Sequence, residues 1–258
     1  MIDYFNIPAQ AQIDMPISKK LFAEKVALSS VEKRILREDI DRIVMKGLLQ
    51  TRTVGVASYI DDEFSYDQII FAVVNIKNQA KASAIAGMVQ KAFPSPMFLI
   101  LNYQENYCVN WCIKRINQAD KSKRVIEEQH MTRFFSTLEN NSIIHKWLHS
   151  LDMTKFNCMS LKDLFDILNN RLMMLTISEE ANCFLELSSI DLGYYQDIIV
   201  ELKLNRIEQQ TIIRELKCET QFNKVIKLNT LLRELQDQEI ECCMRLKGNE
   251  ESSYNFDE

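Results

Sequence analysis

The placement of proline and glycine is the strongest limit on what this chain can fold into. All four prolines (Pro8, Pro16, Pro94 and Pro96) fall at or before position 96 of 258. Gly47, Gly55 and Gly87 also lie early, and only Gly193 and Gly248 come later. Proline breaks helices and glycine weakens them, so the first part is punctuated into short elements and the rest is free to form long helices. The expected fold class is α+β: a mixed-sheet α/β head followed by an all-helical C-terminal region. The expected divisions are a head over 1–135, a helical connector over 136–190, a long amphipathic helix or helical hairpin over 191–248, and an acidic tail over 249–258.

Composition narrows the class further. Hydrophobic residues make up 47% and charged residues 26%, the balance of a globular chain. A net charge of −5 argues against a protein that coats nucleic acid by bulk charge. Seven cysteines at irregular spacing, and a start (Met1-Ile2-Asp3-Tyr4-Phe5) that has neither the basic nor the apolar region of an export signal, point to reduced thiols in the cytoplasm. Apolar runs such as 97–101 are too short to span a bilayer, so no membrane role is expected.

Within the head, Ser29 and Glu32 form a capping-box pattern. It opens a helix that the spacing of Ile35, Ile40, Ile43, Val44 and Leu48 carries to about Leu49. Residues 18–25 read as a short helix. Stretches 53–59 and 66–77 are rich in Val, Ile, Tyr and Phe and read as strands around the acidic turn Asp61-Asp62-Glu63. Residues 80–92 return to helical spacing and stop at Phe93-Pro94. The run MFLILNY (97–103) reads as a buried strand, 107–114 as its hairpin partner after the turn at 104–106, and 124–132 as a further strand. Leu164, Leu168, Leu172 and Leu175 mark a helix. In the stretch between Gly193 and Gly248, Val225, Leu228, Leu232, Leu235, Cys242 and Leu246 follow steps of three and four, broken by Glu239. Val200, Leu204 and Ile207 keep the same rhythm until Arg214. As one helix this stretch would be about 80 Å long, so it folds on itself or offers Val225, Leu228, Leu232 and Leu235 to another chain.

No glycine-rich phosphate loop, HExxH or CxxC pair is present. His145 and His149 are four apart, with Asp152 near, a spacing that can hold a metal; ordinary helix-surface histidines are the alternative. Cys108 and Cys112 share a strand face and read as core. Asp61, Asp62, Glu63 and Asp67, followed by Asn75-Ile76-Lys77, have the layout of a restriction-endonuclease-like nuclease, in which two acids bind Mg²⁺ and a lysine steadies the attacking water. Asp62, Asp67 and Lys77 would be its catalytic set, yet Asn75 stands where an acid is needed, so a degenerate site or a plain acidic turn competes. Finally, Lys114, Arg115, Asn117, Lys121, Lys123 and Arg124 put five basic residues within eleven positions of an acidic chain. They could grip phosphates, or form a solvated loop in which Arg115 pairs with a carboxylate.

The opening Met1-Ile2-Asp3-Tyr4-Phe5-Asn6-Ile7-Pro8, the Lys19-Lys20-Leu21-Phe22 step, the Phe93-Pro94-Ser95-Pro96 break before MFLIL, and Lys114-Arg115-Ile116-Asn117 resemble an uncharacterised bacterial family, domain of unknown function 4391. The resemblance covers residues 1–135 and extends into the helical remainder. It brings no catalytic residues. It implies a setting beside helicases and DNA methyltransferases in restriction-like, antiphage loci, and a role as a non-enzymatic accessory subunit. The expected partner is a helicase or methyltransferase subunit or a second copy of this chain, with DNA as a candidate ligand and no cofactor unless the nuclease reading holds.

Overall fold

A computed structural model of the chain describes residues 1–186 and 189–247. The proposed acidic tail at 249–258 lies outside them.

The head is built on a seven-stranded mixed sheet. Strand β1 (Gln12–Ile17) precedes α1 (Lys19–Lys25) and α2 (Ser30–Glu38), and β2 spans Ile40–Gln50. A short α3 (Thr51–Val54), closed by Gly55 at φ 76°, leads to the small hairpin β3 (Tyr59–Ile60) and β4 (Ser65–Tyr66). Then come β5 (Gln68–Ile76), α4 (Ala82–Ala92), β6 (Met97–Tyr103), β7 (Asn106–Ile116), β8 (Arg124–Met131) and the two-residue β9 (Phe135–Ser136). The sheet runs β1-β2-β5-β6-β7-β8, with β9 also on β7. Among the strands of this sheet only β5 and β6 pair in parallel, joined through α4; its other strand pairs are antiparallel.

Alternation along the strands gives the sheet two apolar faces. Ile70, Ala72 and Val74 of β5, with Met97, Leu99 and Leu101 of β6, pack with Ile85 and Val89 of α4 and Ile35 and Leu36 of α2. On the other face the rings of Phe71 and Phe98 lie 5.2 Å apart and continue to Phe5 and Phe165 at 5.0 Å each. Residues covered on both sides explain why β5 and β6 read as unbroken apolar runs.

The capping box at Ser29 and Glu32 forms, but its helix stops at Glu38. The segment from Ile40 is strand β2, not a continuation of the helix. Its β-branched Ile40, Ile43 and Val44 suit a strand held between β1 and β5, and that pairing overrides a helical spacing that is coincidental. Gly47 sits in a β2 irregularity where an added Cβ would lie 2.8 Å from Ile7 Cδ1. The stretch expected as a strand over 53–59 is instead mainly the α3 turn and loop. Pro16 hides β1, since it removes one donor from an edge strand. The turn between β6 and β7 holds Gln104 and Glu105 at φ 48° and 64°, the left-handed pair that a tight hairpin demands.

Helices follow: α5 (Ser142–Ser150), α6 (Leu161–Ala181), α7 (Ser189–Cys218) and α8 (Phe222–Lys247). The chain divides into two units, Met1–Met173 and Met174–Glu258, and the division falls inside α6. It comes later than position 135 because α5 and the first half of α6 pin themselves to the head. Trp111 Nε1 donates to Asn169 Oδ1 at 2.6 Å, and Trp147 Nε1 donates to the Arg171 carbonyl at 2.7 Å. The long stretch is a hairpin, not a rod. It turns at Glu219-Thr220-Gln221, where the Glu219 carboxylate accepts from the N–H groups of Thr220 and Gln221. Among the described residues no helix is long and apolar enough to cross a membrane.

Candidate functional site

The acid-and-lysine set does not converge. Asp67 stands just before β5 and Lys77 just after it, at opposite ends of a nine-residue strand, so about 30 Å of extended chain separates them. Asp62 sits at the Asp67 end, in the turn between β3 and β4. That turn has a structural explanation: Asp61 accepts from the N–H groups of Glu63 and Phe64 and from the Tyr59 hydroxyl, which holds its carboxyl below the usual range. The Glu63 carbonyl takes the Ile116 N–H at 2.6 Å, docking the turn on the end of β7. Asn75 has a neutral duty, accepting from Asn102 Nδ2 at 3.1 Å across the parallel pair β5–β6. Among the described residues no three His, Cys, Asp or Glu side chains gather to hold a metal ion. His145 and His149 are exposed on α5, and Asp152 caps the following turn through Thr154. Cys108 and Cys112 are fully buried, and burial pushes their thiols up to about 12 and about 11.

The basic segment is split by the same alternation that builds the sheet. Lys114 points to the α4 face and is 3% exposed. Its ammonium donates to the carbonyls of Gln90, Phe93 and Ser95 at 3.0, 2.8 and 3.0 Å. The end of α4 leaves carbonyls without helical partners, and Pro94 and Pro96 bring no N–H donors, so Lys114 supplies the missing donors. Burial lowers its pKa to about 8. With all three protons committed, it cannot grip a phosphate by hydrogen bonding. Its neighbour Arg115 pairs with Glu127 at 2.6 Å. Asn117 accepts from the N–H groups of Ala119 and Asp120, shaping the loop, and Lys123 pairs with Asp120 at 3.0 Å. Lys121 is exposed, and Arg124 leans on the carbonyls of Lys121 and Lys123.

What remains of the patch is a cleft of about 650 Å³ between the end of α4 and the β7–β8 loop. Lys91, Lys114, Lys123 and Arg124 line it, together with Phe93, Val125 and Ile126, and no carboxylate does. Such a cleft favours an anion, with an apolar wall beside it. Lys91 belongs to it although the sequence gives no hint: it is one lysine on a helix end, brought there by the α4 crossover.

The helical unit also rearranges the expected site. Leu235, Cys242 and Leu246 are buried, and Val225, Leu228 and Leu232 are half-buried on the same α8 face. That face meets α7. Glu239, which interrupts the seam, accepts from Arg206 Nε and Gln209 Nε2 at 2.7 Å each. Asn205 Nδ2 donates to the Leu235 carbonyl at 3.0 Å, and Arg206 Nη1 reaches Glu180 of α6 at 2.7 Å. A polar cluster inside an apolar seam fixes register, as one buried polar layer does in a coiled coil. The seam is therefore spent within the hairpin. A second stripe is not: Val200, Leu204 and Ile207 are 56%, 63% and 61% exposed on the opposite face of α7. Their shared rhythm made the two stripes look like one in the sequence, although they lie on different faces.

The sheet, the cleft and most of the hairpin fall within one family profile, which matches residues 5–238. The chain belongs to the DUF4391 family, a domain of unknown function. The match runs through most of α8, so the hairpin is part of the DUF4391 domain and not an addition to it. No curated protein and no solved structure matches the chain.

Proposed function

We propose that this DUF4391 protein is a non-enzymatic assembly subunit. Its hairpin joins it to another protein chain, and its head presents the cleft lined by Lys91, Lys123 and Arg124 to the phosphates of nucleic acid. The observation that carries this reading is the outward stripe of α7, three large aliphatic side chains in a row on a helix whose other face is already buried. Contiguous exposed apolar surface of this kind marks interaction sites. The setting proposed is a cytoplasmic, DNA-directed antiphage complex containing a helicase or DNA methyltransferase. The acid-and-lysine set lends cleavage chemistry no support, because Lys77 sits at the opposite end of β5 from Asp62 and Asp67.

The test is co-expression of the full chain with the helicase or methyltransferase encoded beside it, followed by purification through a tag on the partner. A stoichiometric complex is expected, and its DNA affinity should fall with Lys91→Glu, Lys123→Glu and Arg124→Glu combined. A chain that neither joins such a partner nor self-associates contradicts the reading.

A further inference from the structure

The outward stripe of α7 is longer than its three aliphatic residues. Exposed Asp197, Val200, Leu204, Ile207, Thr211 and Arg214 follow one another at steps of three, four, three, four and three, the spacing of a coiled-coil seam. Only its two ends are charged, with opposite signs. Among the described residues neither Asp197 nor Arg214 has an ion pair within the chain, although Arg206, Arg245, Glu180, Glu201 and Glu239 of the same unit are all paired.

We infer that this stripe is a self-complementary interface, on which α7 of a second copy packs antiparallel about a two-fold axis passing between Asn205 and Arg206. The inference rests on the assembly reading above and names the occupant of the stripe.

The argument is one of register. In the antiparallel arrangement Leu204 faces the partner's Ile207, Val200 faces its Thr211, and Asp197 faces its Arg214. Each two-fold interface repeats every contact twice, so two opposite-charge pairs close its ends over an apolar centre. The parallel arrangement would set Asp197 on Asp197 and Arg214 on Arg214, which repel. An antiparallel register slipped by one heptad would put Asp197 against Ile207 and leave the charge without a partner among aliphatic groups, which is costly. One arrangement thus satisfies every position and its competitors each bury a mismatch, which is how charged seam positions specify pairing. Beside the seam, Glu201 and Glu208 approach one another across the interface, and Arg245 at 3.0 Å already partners Glu201.

Sedimentation equilibrium of the full chain between about 1 and 200 µM, at low and moderate salt, tests this. The wild type is expected to dimerise. Asp197→Arg alone and Arg214→Asp alone should each weaken dimerisation by about tenfold or more, and the double variant Asp197→Arg/Arg214→Asp should restore it. Circular dichroism of each variant shows whether the hairpin remains folded; these positions are exposed and should leave it so. A dimer that ignores both single reversals, or a double variant no better than either single one, overturns the antiparallel register. A monomeric wild type overturns the inference altogether. If that monomer still joins a neighbour-encoded partner and loses it with Leu204→Glu, the assembly reading stands without this inference; if it joins nothing, both fall.

Discussion

The head and the helical unit treat their conspicuous residues in opposite ways. In the head the eye-catching feature is charge, and part of that charge is turned inward or neutralised: Lys114 on three carbonyls and Arg115 on Glu127. In the helical unit the eye-catching feature is an apolar seam. That seam is consumed by the hairpin, while a second stripe on α7 stays outside. In both units the pattern easiest to see in the sequence serves the fold, and what is left over is the material for function. For the head the remainder is a cleft lined by basic side chains; for the hairpin it is an exposed aliphatic stripe.

The two tryptophans, Trp111 and Trp147, both lie in the head unit. Tryptophan fluorescence therefore follows the head, while far-ultraviolet dichroism is weighted to the long helices, and the comparison can be broken one unit at a time. The largest effect is expected from Trp147→Ala, which removes a fully buried ring and its bond to Arg171; it should destabilise the head by about 4 kcal/mol in urea unfolding. Lys114→Met leaves three carbonyls without a donor and should lower head stability by about 3 kcal/mol. Lys121→Met, on an exposed loop, should change it by less than about 0.5 kcal/mol. If the two lysines cost the same, the division between structural and available charge is wrong.

Lys114 also carries a pH signature. Its folded pKa of about 8 lies below the 10.5 of a free lysine, so between those values the unfolded chain binds more protons and stability rises with pH. The burden of holding a buried charge is complete below pH 8 and gone above 10.5, and Lys114→Met should abolish that rise. In the helical unit, Leu235→Ala should lower hairpin stability by about 2 kcal/mol and leave the fluorescence transition of the head in place. The smallest effects belong to Asp62→Asn and Lys77→Met, both exposed, at under about 0.5 kcal/mol.

Much of the fold was legible in the sequence. The Ser29–Glu32 box, the break at Pro94, the MFLILNY strand and the 104–106 turn are local signals, and the structure contains each of them. The failures share a cause, which is that they depend on partners distant in sequence. Residues 40–50 carry a helical spacing, but β1 and β5 claim them as a strand. The turn at Glu219 uses no glycine or proline, only a carboxylate that caps two N–H groups, so a continuous helix and a hairpin look alike until the polar cluster of Arg206, Gln209 and Glu239 is assembled. For the candidate sites, adjacency in sequence misled twice. Lys114 and Arg115 point to opposite faces of β7, and Asp67 and Lys77 sit at the two ends of β5.

The claim at the centre of this account is that the inner seam of α8 builds the hairpin while the outer stripe of α7 builds the assembly. Sedimentation equilibrium of Leu204→Glu beside Leu235→Ala, both as full chains, tests it most directly. The account predicts that Leu204→Glu sediments as a folded monomer and that Leu235→Ala, though less stable, keeps the wild-type dimer mass. A Leu204→Glu variant that retains the mass of the wild-type dimer would contradict it.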